Sequence, residues 1–172
     1  MPERLRALIR DIPDYPKPGI IFRDITPLLR DCAGLALAAE LMVNPFRHAR
    51  IDIVVGAESR GFIFGTLLAR ALNAGFVPIR KSGKLPFKTH ARDYELEYGQ
   101  DTLEIHADAI TPGQRVLLVD DLIATGGTMD ASCQLVDTLG GELVGISVLI
   151  ELLALGGAAK IAPRDVHSVL TY

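Results

Sequence analysis

Residues 116–128, VLLVDDLIATGGT, run from an unbroken apolar segment into two adjacent carboxylates and end in small, hydroxyl-bearing and glycine residues. With Arg115 in front, RVLLVDD has the continuous apolar character of a strand buried on both faces, the habit of parallel sheets. Beyond it, ASCQLVDTLG reads as a helix and ELVGISVLI as another strand. On the other side lie GFVPIR, a strand, RGFIFGTLLARAL, a helix, and IDIVV, a β-branched strand bounded by Gly56. YELEYGQDTLEI reads as two extended pieces separated by Gly99, a hairpin, and CAGLALAAELMV as a further helix. Strands alternating with helices predict an α/β fold, a largely parallel central sheet with helices on both faces.

The amino terminus differs. Leu5, Leu8 and Ile9 follow Pro2 at helical spacing and predict a short amphipathic helix. Prolines at 13, 16 and 18 with Gly19 then make IPDYPKPG extended and turn-rich. No repeat, low-complexity tract or linker divides the 172 residues, so a single domain over 1–172 is expected.

Composition narrows the partners. A formal charge of −3 supplies no basic field for nucleic acid or an anionic membrane surface, so an anionic ligand must be captured locally. No apolar run reaches the roughly 18 residues of a membrane span, and MPERLRALIR lacks a signal-peptide core. Cys32 and Cys133 form no CxxC pair or disulfide framework, which suits the reducing cytoplasm. The four histidines show no metal-ligand spacing.

In open α/β sheets ligands bind outside the carboxyl ends of strands, where Asp120 and Asp121 are expected to fall. The loop after them leads into a helix and presents unpaired N–H groups. Ala124, Gly126 and Gly127 let an anion approach, and Thr125 and Thr128 add hydroxyls. This is a phosphate cradle without the lysine and spacing of a nucleoside-triphosphate loop and without the GxGxxG of a dinucleotide fold. Carboxylates beside a phosphate call for a ligand that also donates hydrogen bonds, and ribose hydroxyls do so. A ribose 5-phosphate group fits, with a divalent cation nearby offsetting charge. The plainer alternative is a solvated strand end followed by a helix cap.

Two other segments bear charge suited to an anion. AESRGF, residues 57–62, lies between a strand and a helix, so its N–H groups face the same sheet edge, and Arg60 can pair with phosphoryl oxygens in bidentate fashion. RKSGKLPFKTHAR, residues 80–92, holds five basic residues and no carboxylate in an acidic chain. It reads either as a solvated basic loop or as a lid closing over a polyanion, bending at Gly83.

VLLVDDLIATGGT closely resembles the phosphoribosyl-diphosphate signature of the type I phosphoribosyltransferases, and PDYPKPGIIFRDITPLL, AESRGF, RKSGKLP and LEYG follow the order seen in members acting on adenine. The resemblance covers nearly the whole chain; FKTHARDYE is not matched. It implies the type I phosphoribosyltransferase fold, with a small N-terminal hood of about residues 1–30 over the base and a flexible lid of about residues 80–95. It implies transfer of the 5-phosphoribosyl group from 5-phosphoribosyl 1-diphosphate to N9 of adenine, giving AMP and diphosphate, with Mg2+ mainly on substrate oxygens and water.

The same resemblance distributes roles. Asp120, Asp121 and residues 124–128 hold the ribose 5-phosphate. Ser59 and Arg60 belong to a diphosphate loop with a non-proline cis peptide around Glu58 and Ser59. Lys81 and Lys84 lie on the lid, and the arginine matching Arg80 reaches the diphosphate of a neighbouring subunit, which implies a homodimer. Glu97, beside Tyr98, is the candidate general acid/base, because joining a purine through N9 releases a proton. Phe22 stacks on the purine, while the backbone at Ile21 and Arg23 reads the adenine edge. The competing functions are a transferase for another purine such as xanthine and a non-catalytic sensor of the donor.

Overall fold

The computed structural model describes residues 2–95 and 100–172, so Glu97 and Tyr98 lie outside the described residues. The chain forms two compact units, Met1–Leu41 and Met42–Tyr172.

The first unit opens with helix α1 (Pro2–Arg6), shorter than the predicted amphipathic helix, although Leu5 and Ile9 are buried as its spacing requires. Strands β1 (Arg10–Pro13) and β2 (Ile21–Asp24) pair antiparallel, with Asp11 opposite Arg23 and Ile12 opposite Phe22. The proline-rich sequence gives no sign of this hairpin. Its turn is tied internally, since the Gly19 N–H donates to Asp14 Oδ1 at 2.8 Å. Buried Asp24 accepts from both the N–H and the hydroxyl of Thr26 and so starts α2 (Thr26–Arg30). Helix α3 (Cys32–Val43) has the predicted bounds and carries the chain out of this unit.

The second unit contains β3 (Ile53–Ala57), α4 (Gly61–Leu72), β4 (Gly75–Lys81), β5 (Thr89–Glu95), β6 (Gln100–His106) and β7 (Arg115–Ile123). It continues with α5 (Gly127–Thr138), β8 (Glu142–Glu151), α6 (Gly157–Lys160) and β9 (Val166–Thr171). The strands form one sheet in the order β5-β6-β4-β3-β7-β8-β9. Five of them, β4 to β9 in that order, run parallel. β6 joins antiparallel beside β4, and β5 pairs antiparallel with β6; β5 begins at Thr89, ahead of the expected first extended piece, of which only Tyr94 and Glu95 are among the described residues.

Chain order places the ligand edge. From β3 the chain steps through α4 to β4 on one side, and from β7 through α5 to β8 on the other. Right-handed crossovers therefore put α4 and α5 on opposite faces, and the order reverses between β3 and β7. At such a reversal the carboxyl ends of two strands diverge and leave a crevice. The sheet below is a dry core: Val54, Val55, Leu117, Leu118, Ile146 and Val148 are fully buried, which explains why these strands read as continuous apolar runs rather than alternating ones.

One predicted feature of the sheet needs adjustment, and one strand is not predicted. β7 continues through the acid pair to Ile123 because β8 keeps pairing with it as far as Glu151, so Asp120 and Asp121 lie within the strand rather than at its tip. β9 has no distinct sequence signal. Neither cysteine is in a disulfide; Cys32 is exposed, and burial first of all pushes the Cys133 thiol up to about 12, leaving it inert. Among the described residues no helix is long and apolar enough to cross a membrane.

Candidate active site

The site grows from unequal strand lengths. β3 stops pairing with β7 at Gly56 opposite Val119, whereas β7 runs four residues further alongside β8. Asp120 and Asp121 sit on that overhang, both nearly buried, at 8% and 5% exposure. The first residue of α4 packs directly against it. A Cβ on Gly61 would lie 2.9 Å from Asp120 Oδ1 and 3.0 Å from the Val119 carbonyl oxygen, so only glycine lets α4 start this close.

A cavity of about 400 Å³ opens at this edge. Ser59 and Arg60 line it from β3's side, Asp120 and Asp121 from β7, and the loop from Ala124 to Thr128 closes it. The structure thus brings together, from segments some sixty positions apart in the chain, the residues assigned separately to a diphosphate and to a ribose 5-phosphate. The loop reverses at Gly126, whose φ of +81° is the left-handed conformation natural to glycine, and α5 starts at the next residue. Its first-turn N–H groups therefore border the cavity, as the phosphate-cradle reading requires.

The two aspartates have different environments. Asp121 Oδ2 is 2.6 Å from Arg60 Nε, an ion pair across the crevice. Asp120 accepts the N–H of Asp121 at 2.8 Å. Burial, reinforced by the adjacent Asp121 charge, holds the Asp120 carboxyl well above the usual carboxylate range, despite that bond and Arg60. An uncharged ligand hydroxyl meeting Asp120 finds a buried carboxyl group short of compensation.

Glu58 is a site residue that sequence reasoning uses only to locate a peptide bond. The Glu58–Ser59 peptide is cis, as the resemblance implies. The Glu58 side chain, 9% exposed, lines the cavity and gathers donors from the basic segment. The Lys81 N–H donates to its Oε2 at 2.8 Å, Lys84 Nζ donates to its Oε1, and Arg80 Nε lies 3.5 Å from Oε2. Burial pushes this carboxyl upward, but the bonds from Lys84 and Lys81 and the charges of Lys84 and Arg80 outweigh it and hold the pKa below the usual range. The signal for Glu58 is a lone carboxylate at a strand end and a run of cations more than twenty residues later, a pairing that only topology reveals.

Lys81 points its ammonium elsewhere, at Asp101 Oδ2, 2.8 Å away. The turn after β4 is also fastened to β6, because the Ser82 hydroxyl and Gly83 N–H both donate to Glu104, at 2.8 and 3.1 Å. Tyr94, on the unmatched segment, is a second overlooked lining residue. Its hydroxyl meets Asp101 at 3.3 Å, and burial followed by the Asp101 charge raises its pKa. In the first unit, β2 carries Ile21, Phe22 and Arg23: Ile21 is exposed, Phe22 is half-buried edge-on to Tyr15 with ring centroids 5.3 Å apart, and Arg23 pairs with Asp11.

The chain is similar to known proteins along nearly its whole length. The family described as phosphoribosyl transferase domain matches residues 25–169. A protein of Rhodopirellula baltica named adenine phosphoribosyltransferase is 62% identical over 168 residues, covering 98% of this chain and 82% of that one. The crystal structure of adenine phosphoribosyltransferase from Rhodothermus marinus is similar with a TM-score of 0.95 at 54% identity, covering 99% of this chain and 98% of that one. The Saccharomyces cerevisiae adenine phosphoribosyltransferase, complexed with an imino-altritol bisphosphate and adenine, is similar with a TM-score of 0.93 at 39% identity and 98% coverage of both chains.

Proposed function

Because the chain belongs to the phosphoribosyltransferase family, and within it to the adenine phosphoribosyltransferases, we propose that its cavity holds 5-phosphoribosyl 1-diphosphate and that the enzyme transfers the 5-phosphoribosyl group to N9 of adenine, releasing AMP and diphosphate. The observation carrying the site assignment is the overhang of β7, which sets two carboxylates beside a glycine loop and opposite Arg60 in one cavity.

The chain's task is positioning and electrostatics. The loop from Ala124 to Thr128 takes the 5-phosphate on backbone N–H groups and threonine hydroxyls, while Asp120 and Asp121 accept the ribose hydroxyls. Ser59 and Arg60 take the diphosphate, so Arg60 exchanges Asp121 for a phosphoryl oxygen. As the bond from C1 to the diphosphate oxygen breaks and the bond from C1 to N9 forms, negative charge collects on the leaving group, where Arg60 and the backbone amides meet it. The N9 proton leaves to a base, and Glu97 takes that role in this reading. Phe22 stacks on the purine, the backbone of Ile21 and Arg23 reads its edge, and Tyr98 assists; these roles rest on the IIFRD and LEYG resemblances. Arg80, Lys81 and Lys84 act from a lid over residues 80–95, Arg80 on the diphosphate of a neighbouring subunit in a cytoplasmic homodimer. The family match extends into both units, which supports reading 1–172 as one functional domain.

Magnesium fits as a substrate-borne ion. Among the described residues no group of three or more His, Cys, Asp or Glu side chains could hold a metal by itself. Two carboxylates beside an anion cavity suit an ion carried on the donor's oxygens with several waters. When bound, it offsets charge on the departing diphosphate.

The test is a panel of adenine, hypoxanthine, guanine, xanthine, uracil and orotate, each incubated with the donor and magnesium and assayed for nucleotide by chromatography. AMP from adenine alone is expected. Turnover of another base would keep the donor site and overturn the adenine assignment, and donor binding without turnover would turn the protein into a sensor.

A further inference from the structure

The phosphate loop has a backbone neighbour that does not line the cavity. A Cβ on Gly157, the first residue of α6, would lie 2.3 Å from the Ala124 carbonyl oxygen and 2.9 Å from the Gly126 nitrogen. Reciprocally, a Cβ on Gly126 would lie 2.6 Å from the Gly157 carbonyl oxygen. All these obstacles are main-chain atoms, which cannot rotate aside as a side chain does. Two glycines therefore interlock backbone against backbone behind the loop.

The turn bearing Gly157 is fixed to the sheet. The Leu152 N–H donates to the Ile123 carbonyl at 3.0 Å, extending the ladder of β7 and β8 past its end. The Leu153 N–H donates to the Tyr172 carbonyl at 2.9 Å, and the Tyr172 N–H to that of Glu151 at 2.9 Å. Residues 152–157 are thus tied to β7 on one side and to the end of the chain on the other. The phosphate loop borders the cavity and so has open space on its far side into which it can move.

We propose that Gly157 is a positioning residue for the phosphate loop, its missing side chain fixing where the N–H groups of residues 124–128 stand when they receive a 5-phosphate. The proposal rests on the loop being the 5-phosphate cradle. Relieving a 2.3 Å approach to ordinary contact moves the loop by roughly 1 Å, a displacement that costs about 100-fold when a bound group loses its alignment.

The experiment compares Gly157→Ala with Gly156→Ala by calorimetric titration with ribose 5-phosphate and, separately, with inorganic diphosphate. Gly156 has a φ of +65°, and a Cβ there would meet nothing within 4 Å, so its substitution strains the same turn without touching the loop. The expected result for Gly157→Ala is a ribose 5-phosphate dissociation constant raised about 10- to 100-fold with diphosphate changed less than about threefold. For Gly156→Ala, lower thermal stability with both constants retained is expected. Equal affinity of Gly157→Ala and wild type for ribose 5-phosphate would overturn the proposal, as would parallel losses for both ligands. Failure of the wild type to bind ribose 5-phosphate would instead overturn the cradle assignment, and this proposal with it. Should Gly157→Ala not fold, amide exchange on the wild type decides: slowing at both 124–128 and 153–158 on saturation with ribose 5-phosphate supports the coupling, and slowing at 124–128 alone overturns it.

Discussion

Glu58 and Asp120 are carboxyl groups near the ends of neighbouring strands, both largely buried and both facing one cavity, yet their surroundings push them in opposite directions. Glu58 is met by a main-chain N–H, an ammonium and a guanidinium delivered by β4 and the turn after it. Asp120 is met by its neighbour's N–H and by a second carboxylate. The difference lies in what each strand end has beside it. Next to β3 is the basic end of β4, whereas the overhang of β7 pairs with β8 at Val148, Ile150 and Glu151, which bring no cation. One carboxyl of the crevice, Glu58, is satisfied within the protein, and another, Asp120, is left for a ligand to satisfy. A folded chain retains an under-compensated buried acid at a cost in stability, and such groups concentrate at functional sites.

The largest effect should come from removing the ligand-facing half. In Asp120→Asn/Asp121→Asn, kcat/KM for the donor is expected to fall about 1000-fold, two charge-assisted hydrogen bonds being worth roughly 1.5–3 kcal/mol each, while the constant for adenine changes little. Steady-state rates with each substrate varied in turn check this, and an unchanged donor constant and rate would remove the aspartates from the site. Next come the opposed single variants. Glu58→Gln should lower the stability of the ligand-free protein by about 1–3 kcal/mol, because Lys84 and Arg80 lose their charged partner. Asp120→Asn should raise it by about 1 kcal/mol, since the amide keeps the acceptor and abolishes the buried charge. Urea unfolding measures both, and the same sign for the two would break the contrast.

The smallest and sharpest check is the pH dependence of those differences. The folded pKa of Glu58 is depressed, so its contribution is present above the unfolded value of 4.5 and disappears as pH falls through the folded one. The gap between wild type and Glu58→Gln should therefore close on acidification. The folded pKa of Asp120 is raised, so its contribution is full below 3.8 and lost as pH climbs through the raised value. The advantage of Asp120→Asn should consequently open as pH rises. Unfolding series from about pH 3 to about pH 8 would resolve the two opposite slopes, within about 1–2 kcal/mol.

What the sequence discloses follows the range of the interactions. The strand, acid pair, glycine loop and helix of residues 115–138 are consecutive, so apolar continuity and residue type suffice to read them. The parallel centre is legible for the same reason. The β1–β2 hairpin escapes such reading because its pairing joins residues across a proline-rich turn whose local signals point only to irregular chain. Glu58 with Lys84 and Gly126 with Gly157 stand 26 and 31 positions apart, and no periodicity links them. The extent of β7 depends on how far β8 accompanies it, again information held in the partner strand.

The ion pair between Arg60 and Asp121 has a thermodynamic consequence for ligands smaller than the whole donor. A ligand that takes only the arginine takes it from a buried carboxylate, and one that takes only the carboxylate gives up the same ion pair. Each fragment therefore binds against a penalty that a single molecule occupying both ends does not incur. Joining the two ends covalently gives more affinity than the sum of the separate pieces, beyond the usual gain from effective concentration. The same coupling makes departure stepwise: once the bond between the halves is broken, the pair can re-form and help expel them both.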